Sequence, residues 1–180
     1  MLFFLHISKK SCTFAPAKVV NGRKIFMQNT EIERKFLVKN DSFLSRVTAQ
    51  HEVVQGYLCK DSGRTIRVRI SDEHAFITIK SDRLRDGLAK FEWEKEIEAS
   101  AAKEMMRICL PTPIEKTRYI VPAPSYNGQP RKWEIDVFHG RLEGRVLAEI
   151  ELGEENEPFD KPDWLGEEVT GLPQYYNANM

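Results

Sequence analysis

The sequence predicts a mainly β fold of the α+β class: a closed antiparallel β-barrel of eight strands, with a few helices packed outside. Three observations predict it. Segments of six to eight residues alternate between polar and apolar side chains, as half-buried strands do. Turn-forming residues separate these segments at hairpin spacing. Charged side chains occupy the polar face of nearly every segment, and closing the sheet would gather them around one bore.

The first strand covers residues 31–38 and places Glu31, Glu33 and Lys35 on one face, because residues two apart in a strand point the same way. The same alternation predicts seven further strands along the chain. They cover residues 53–59, 65–70, 75–80, 91–97, 114–121, 132–138 and 146–152.

Helical structure is predicted at few places. The main helix is expected over residues 100–110, where Ser100 can cap the first turn and Pro111 ends the last. Short helical turns are expected at residues 42–44 and 163–166. The main helix and the C-terminal segment are expected to cover the apolar faces of the strands.

The length of 180 residues suits one domain with a substantial core. Residues 27–180 are predicted to form it, since the strand pattern begins shortly after Met27. Residues 1–26 show no periodicity and are expected to be a non-native or disordered N-terminal extension. The apolar run at residues 2–5 is too short for a signal peptide, and no run is long enough to span a bilayer.

Charge and cysteine content narrow the functional class. The 27 basic and 27 acidic residues give a formal net charge of zero, whereas a nucleic-acid-binding protein is usually basic. The three cysteines lack the spacing of metal ligands and are expected to be reduced thiols. We therefore expect a cytoplasmic protein, a monomer or homodimer, without nucleic-acid or membrane partners.

The signs of the charged faces come in blocks, which a solvated outer face does not require. Like charges two residues apart repel unless an opposite charge lies between them. A sandwich with one wet face explains any single strand, but a shared interior explains all of them. The bases are Arg67, Arg69, Lys80, Lys116 and Arg118, and the acids are Glu31, Glu33, Glu92, Glu94, Glu134, Asp136, Glu149 and Glu151.

Turned inward, these two groups fit two kinds of ligand. Arginine forks match phosphate oxygens, so the bases would hold a small polyanion such as condensed phosphate. Carboxylates are preferred ligands of hard divalent cations, so the acids would hold Mg²⁺ or Mn²⁺. A barrel of about eight strands has room for one small ligand.

The motifs that carry these residues resemble the CYTH superfamily, also called triphosphate tunnel metalloenzymes, and in particular its short single-domain bacterial members. The resemblance covers residues 27 to about 177 and keeps the motifs in order. They are E-x-E-x-K (Glu31, Glu33, Lys35), R-x-R (Arg67, Arg69), the lysine of T-x-K (Lys80), E-x-E (Glu92, Glu94), K-x-R (Lys116, Arg118), E-x-D (Glu134, Asp136) and E-x-E (Glu149, Glu151).

The resemblance implies a tunnel enzyme with a triphosphate substrate and one or two Mg²⁺ or Mn²⁺ ions. The bases named above and Lys35 are then expected to bind substrate, and Lys35 and Glu33 to act in catalysis. The expected metal ligands are Glu31, Glu33, Glu149 and Glu151, with Asp136 and Glu134 as further candidates. Glu92 and Glu94 are expected to be additional tunnel acids.

The predicted activity is metal-dependent hydrolysis of inorganic triphosphate to pyrophosphate and phosphate. The alternatives within the family are an adenylyl cyclase that makes cyclic AMP from ATP, and a nucleoside or thiamine triphosphatase. A non-catalytic module that binds polyphosphate or nucleotide is the alternative from another class. The acids at Glu31, Glu33, Glu149 and Glu151 favour catalysis, and no adenine-stacking motif is visible.

Several other polar residues are expected to play no part in the chemistry. His51, His74 and His139 lie in or near predicted turns, where histidines are usually solvated. Tyr57 is expected to pack in the core. The charged loop with Arg83, Arg85 and Lys90 is expected to be solvated.

Overall fold

The computed structural model of the protein describes residues 18–20, 23–25, 32–61, 63–81, 91–154 and 156–180. These residues form a mainly β fold with one α-helix, as predicted. The strands are β1 (Lys18–Val20), β2 (Arg23–Ile25), β3 (Ile32–Val38), β4 (Ala49–Asp61), β5 (Arg64–Ser71), β6 (His74–Ser81), β7 (Phe91–Ile97), β8 (Ile114–Tyr126), β9 (Gln129–Phe138), β10 (Val146–Leu152) and β11 (Leu165–Glu168).

The helix α1 spans Ala99–Met106, and short 3-10 helices cover Ser42–Arg46, Gly140–Leu142, Pro173–Tyr175 and Asn177–Asn179. The helix begins one residue before the predicted range of 100–110, because Glu98 rather than Ser100 is the N-terminal capping residue. It also ends four residues before the end of that range, at Met106. After Met106 the chain turns, and the amide of Leu110 donates a hydrogen bond to the carbonyl of Tyr57 on β4 instead. In the described part of the chain, no helix is long and apolar enough to span a membrane.

Nine strands form one antiparallel sheet in the order β11-β3-β10-β9-β8-β4-β5-β6-β7, and β1 and β2 form a separate two-stranded sheet. The prediction of eight strands missed β11 and the two short strands β1 and β2. Within the described ranges, no backbone hydrogen bonds join β7 to β11, so the sheet is not closed by strand pairing. The domain boundary at residue 27 stays a prediction.

The additional strand β11 replaces the helical turn predicted at residues 163–166, which was wrong. Leu165 pairs with Val38 on β3, and Glu168 pairs with Phe36. The chain can approach this closely because residue 166 is glycine: a Cβ at Gly166 would lie 2.9 Å from the carbonyl oxygen of Leu37.

The apolar faces of the strands form the core, as predicted. Its centre is a cluster of aromatic side chains, in which Trp133 makes edge contacts with Phe36 and Trp164 at ring-centroid distances of 5.8 and 5.4 Å. Helix α1 covers another part of the apolar surface, where Ala102 packs with Val68 and Ala75. Burial on this side leaves the charged faces of the strands to line the opposite side of the sheet.

The register of the strands aligns the charged residues and ends them at an apolar boundary. Glu149 on β10 lies opposite Lys35 on one side and Glu134 on the other. Further along the same faces, the charged residues give way to a second apolar cluster, which bounds the charged surface at one end. Its buried members are Ile114, Phe138, Leu147 and Val169.

Candidate active site

A cavity of about 810 Å³ lies against the charged faces of the sheet. A smaller cavity of about 350 Å³ shares five residues with it and reaches Tyr176 and Asn177 near the C-terminus. The structure therefore brings the predicted charges together around one continuous region. The large cavity is lined by Glu33, Lys35, Arg67, Arg69, Lys80, Glu92, Glu94, Lys116, Arg118, Glu134, Glu149 and Glu151, among other residues.

Two arginines of β5 form one basic wall with β7. Arg67 and Arg69 both point a terminal guanidinium nitrogen at Glu94, at 3.4 and 3.2 Å. The buried hydroxyl of Thr78 on β6 donates to Glu94 and accepts from Arg67, so it fixes this group. On the same wall, Lys80 contacts Glu92 at 3.0 Å.

The arginines on this wall are under-neutralised. The Nε atoms of Arg67 and Arg69 are buried, and neither has a hydrogen-bond partner in the described residues. Burial and then the neighbouring Arg67 lower the pKa of Arg69, although Glu94 opposes them. Buried donors without acceptors are costly, so this wall suits an anionic ligand with several oxygens.

A fully buried ion pair supports the next part of the cavity. Lys116 on β8 and Asp136 on β9 are each about 1% exposed, and the ammonium donates a short hydrogen bond to the carboxylate. Arg118 donates two hydrogen bonds of 2.7 Å to the same carboxylate and also contacts Glu134. Asp136 lines neither cavity. Both of its carboxylate oxygens already accept hydrogen bonds from Lys116 and Arg118.

Burial acts on the two members of this pair in different ways. It lowers the pKa of Lys116, and Asp136 only partly offsets that effect. Burial alone would raise the pKa of Asp136, but Lys116 and Arg118 together outweigh it and lower the pKa far below its ordinary value. The carboxylate is therefore the more firmly charged member, because it has two cationic partners.

The acidic side of the cavity is built on β3 and β10. Lys35 contacts Glu149 at 2.6 Å and Glu33 at 3.1 Å. Burial acts to lower the pKa of Lys35, but Glu149 and Glu33 outweigh it and raise the pKa, so the amine stays charged. Burial, followed by repulsion from Glu149, raises the pKa of Glu33. The two glutamates therefore carry more negative charge than Lys35 neutralises.

This excess fits a hard divalent cation. Glu33 and Glu151 lie directly opposite each other on neighbouring strands, an arrangement that is unfavourable without a cation. Glu149 Oε1 is buried and accepts no well-directed hydrogen bond from a described residue, although Lys35 is its ion partner. No three acidic, histidine or cysteine side chains of the described residues form a metal cage. Glu31 lies outside the described residues.

Sequence reasoning missed several residues of the cavity. His51 and Gln55 on β4 line the large cavity, and Tyr57 on the same face of β4 lines the smaller one. Burial raises the pKa of Tyr57, whose hydroxyl accepts a hydrogen bond from Gln55 at 3.4 Å. Their spacing of two residues along β4 shows that they share one face, but neutral side chains were not considered as candidate site residues. Arg131 and Lys132 of β9 also line the cavity.

The other histidines of the described residues, and the acid Glu96 on β7, lie elsewhere. Glu96 contacts His74 at 2.7 Å and lines neither cavity. His139 bonds Thr117, whose hydroxyl also contacts Glu52, and lines neither cavity. The loop with Arg83, Arg85 and Lys90 lies outside the described residues.

Comparison with known proteins identifies the class to which this fold and cavity belong. The profile of the CYTH domain matches residues 29–176. The chain therefore belongs to the CYTH domain family.

Two curated relatives and a solved structure are similar over most of the chain. An inorganic triphosphatase of Acetivibrio thermocellus is 39% identical over 151 residues, covering 83% of this chain and 92% of the relative. An inorganic triphosphatase of Nitrosomonas europaea is 36% identical over 156 residues, covering 84% and 96%. The crystal structure of an inorganic triphosphatase superposes with a TM-score of 0.60 at 30% identity, covering 85% of this chain and 95% of the other.

Proposed function

We propose that the protein is a metal-dependent inorganic triphosphatase that hydrolyses tripolyphosphate to pyrophosphate and phosphate. The observation that carries the proposal is the convergence of Arg67, Arg69, Lys80, Lys116 and Arg118 on a cavity with an acidic opposite side. The names of the two curated relatives support the same reaction. The sheet would enclose the substrate as a barrel-shaped tunnel.

The basic side chains would neutralise the triphosphate and hold it for in-line attack. Arg67 and Arg69 have buried Nε donors free for phosphate oxygens, and Arg118 is held by Asp136. In phosphoryl transfer most of the catalysis is positioning and charge stabilisation, so fixed cations are the main requirement. Asp136 then acts as a positioning residue, since it fixes Lys116 and Arg118.

The acidic side chains would hold Mg²⁺ or Mn²⁺. Glu33, Glu149 and Glu151 fit this role best, with Glu134 beside them and Glu31 as a further proposed ligand. When bound by these residues, a divalent ion would supply charge neutralisation for the phosphates and a lowered pKa for a water nucleophile. Lys35 would orient Glu33 and Glu149, which it contacts in the absence of substrate.

The proposed partner is a small-molecule triphosphate, with no nucleic acid or membrane involved, and the proposed assembly is a monomer or homodimer. We place the enzyme in the cytoplasm, because Cys59 and Cys109 are free thiols and reduced cysteines are usual there.

The deciding experiment is an assay of the pure protein with Mg²⁺ or Mn²⁺ and either tripolyphosphate or ATP. We expect rapid phosphate release from tripolyphosphate, slower release from ATP, and no cyclic AMP. Formation of cyclic AMP would indicate a cyclase. Tight tripolyphosphate binding without turnover under any metal condition would indicate a binding module. Either result would overturn the proposal.

A further inference from the structure

His51 lies on β4 and lines the large cavity, with 41% of its side chain exposed. In the sheet it is directly opposite Arg118 of β8, a proposed substrate-binding residue. The histidine therefore belongs to the same charged surface as the five bases, although it lies near a turn.

The ring of His51 is held in place by Asp72, in the turn between β5 and β6. Its Nδ1 lies 2.7 Å from the Asp72 carboxylate. The other oxygen of Asp72 accepts the amide of Glu52 at 2.9 Å, and the amide of Asp72 donates to the carbonyl of Glu52 at 3.0 Å. Three contacts thus connect the turn to β4 and fix the carboxylate that orients the imidazole.

This orientation leaves one ring nitrogen available. Because Nδ1 is engaged by a carboxylate, it carries the proton in the neutral ring, and Nε2 becomes a second donor once the ring is protonated. Nε2 has no hydrogen-bond partner in the described part of the chain. A phosphate oxygen is the kind of acceptor that this donor lacks.

We propose that His51 binds the substrate directly, donating from Nε2 to an oxygen of the terminal phosphate nearest to β4, and that Asp72 is its positioning residue. The inference rests on the proposed triphosphate substrate. The contact forms with the protonated ring, in which Nε2 carries a proton, so protonation strengthens it.

The charges around the ring favour this pH dependence. Asp72 stabilises the protonated form, whereas Arg118, Lys116 and Arg69, which line the same cavity, oppose it. A bound polyanion offsets these cations. Substrate and proton therefore bind to this corner of the cavity cooperatively.

A second histidine provides a matched control. His74 makes the same type of contact, with Nδ1 2.7 Å from the Glu96 carboxylate. It lines neither cavity, and 68% of its side chain is exposed. A replacement of His74 removes an equivalent ion pair without changing the cavity.

The kinetic test measures kcat and KM for tripolyphosphate between pH 6 and 9. We expect His51→Asn to raise KM about 10-fold at pH 6, to change kcat by about twofold at most, and to match the wild type at pH 9. His51→Lys should keep KM low up to pH 9, since the amine stays charged there. Asp72→Asn, which retains a side-chain acceptor for the Glu52 amide, should show part of the His51→Asn effect, again only at low pH. His74→Asn should behave as the wild type.

A binding measurement separates this inference from the proposed reaction. Metal-free tripolyphosphate, added with EDTA, should shift the Nε2 NMR signal of His51 and leave that of His74 unchanged. An unshifted His51 signal, or a KM effect of His51→Asn that is equal at all pH values, would overturn the inference. A protein that shows the shift but no hydrolysis would refute the proposed function and leave the His51 contact standing.

Discussion

Glu33 of β3 and Glu151 of β10 lie directly opposite each other, with Lys35 as the adjacent cation on β3. Two carboxylates in this position repel each other. The pKa of Glu33 is raised, by burial first and then by repulsion from a different carboxylate, Glu149. A raised carboxyl pKa means that the charged form of Glu33 is disfavoured in the folded state, so this carboxylate reduces stability at neutral pH when no cation is bound.

The first prediction concerns the removal of the Glu33 charge. Glu33→Gln should abolish metal-dependent hydrolysis and the gain in Tm on adding Mn²⁺, because a proposed metal ligand is lost. Its Tm without metal should equal or slightly exceed that of the wild type, since a repulsion is removed and solvent screening keeps the gain below about 1 kcal/mol. Glu96→Gln, outside the cavity, is the control and should keep both activity and the Mn²⁺ response. A fully active Glu33→Gln enzyme would refute the metal assignment.

The second prediction concerns the unpaired donors of β5. Arg67→Lys should raise KM for tripolyphosphate by about 10- to 100-fold, because lysine keeps the charge but loses the planar fork that matches phosphate. The increase in Tm caused by metal-free tripolyphosphate should also become smaller in this variant. Arg64 lies on the same strand but pairs with Asp61 outside the cavity, at 69% exposure. Arg64→Lys should change neither measurement, and equal effects of the two variants would contradict a specific phosphate contact.

The third prediction tests the buried pair. Asp136→Asn leaves Lys116 buried without a negative partner and should cost about 3–5 kcal/mol in the free energy of unfolding at pH 7. The pKa of Asp136 is lowered in the folded state, so its stabilisation is present above the unfolded pKa and is lost as the pH falls below about 4. Urea unfolding at several pH values should therefore show the gap between wild type and variant narrowing towards pH 3.

The surface pair of Asp61 with Arg64 is the control for this measurement, because Asp61 is 57% exposed. Asp61→Asn should change the free energy of unfolding by less than about 1 kcal/mol at any pH. A pH-independent gap for Asp136→Asn would mean that the carboxylate is not charged in the folded protein.

The fourth prediction tests the close approach of β11 to β3. Gly166→Ala would place a Cβ 2.9 Å from the carbonyl oxygen of Leu37, and backbone atoms cannot move away easily. We expect a loss of about 1–3 kcal/mol in urea unfolding. Gly128→Asn, in the open turn between β8 and β9, meets no atom within 4 Å and asparagine tolerates its positive φ of +75°, so it should be nearly neutral.

The alternation of the sequence was sufficient to predict which strand faces carry charge. Arg67 and Arg69, Lys116 and Arg118, and Glu149 and Glu151 are two residues apart, and each pair lines the cavity. The period of two in a strand leaves little freedom once one face is known. The apolar partners such as Ile135 and Ile150 are buried for the same reason.

The depth of a side chain below the cavity surface could not be predicted in this way. Asp136 has the same parity as Glu134, yet it is 1% exposed and paired with Lys116 and Arg118. How deeply a side chain is buried depends on which residues of the neighbouring strands lie beside it. The hydrogen-bond register between strands determines those neighbours. The strand β11 was missed because its four residues, Leu165–Glu168, are too few to show a period, and its pairing with β3 is a long-range contact.

Glu94 accepts hydrogen bonds from Arg67, Arg69 and Thr78. The carboxylate thus acts as an internal surrogate for phosphate and keeps both guanidinium groups in place. In the proposed complex with triphosphate, one acceptor would replace another, and the side chains would not first need to become ordered. The entropy of fixing two long arginines is therefore lost during folding rather than in each catalytic cycle.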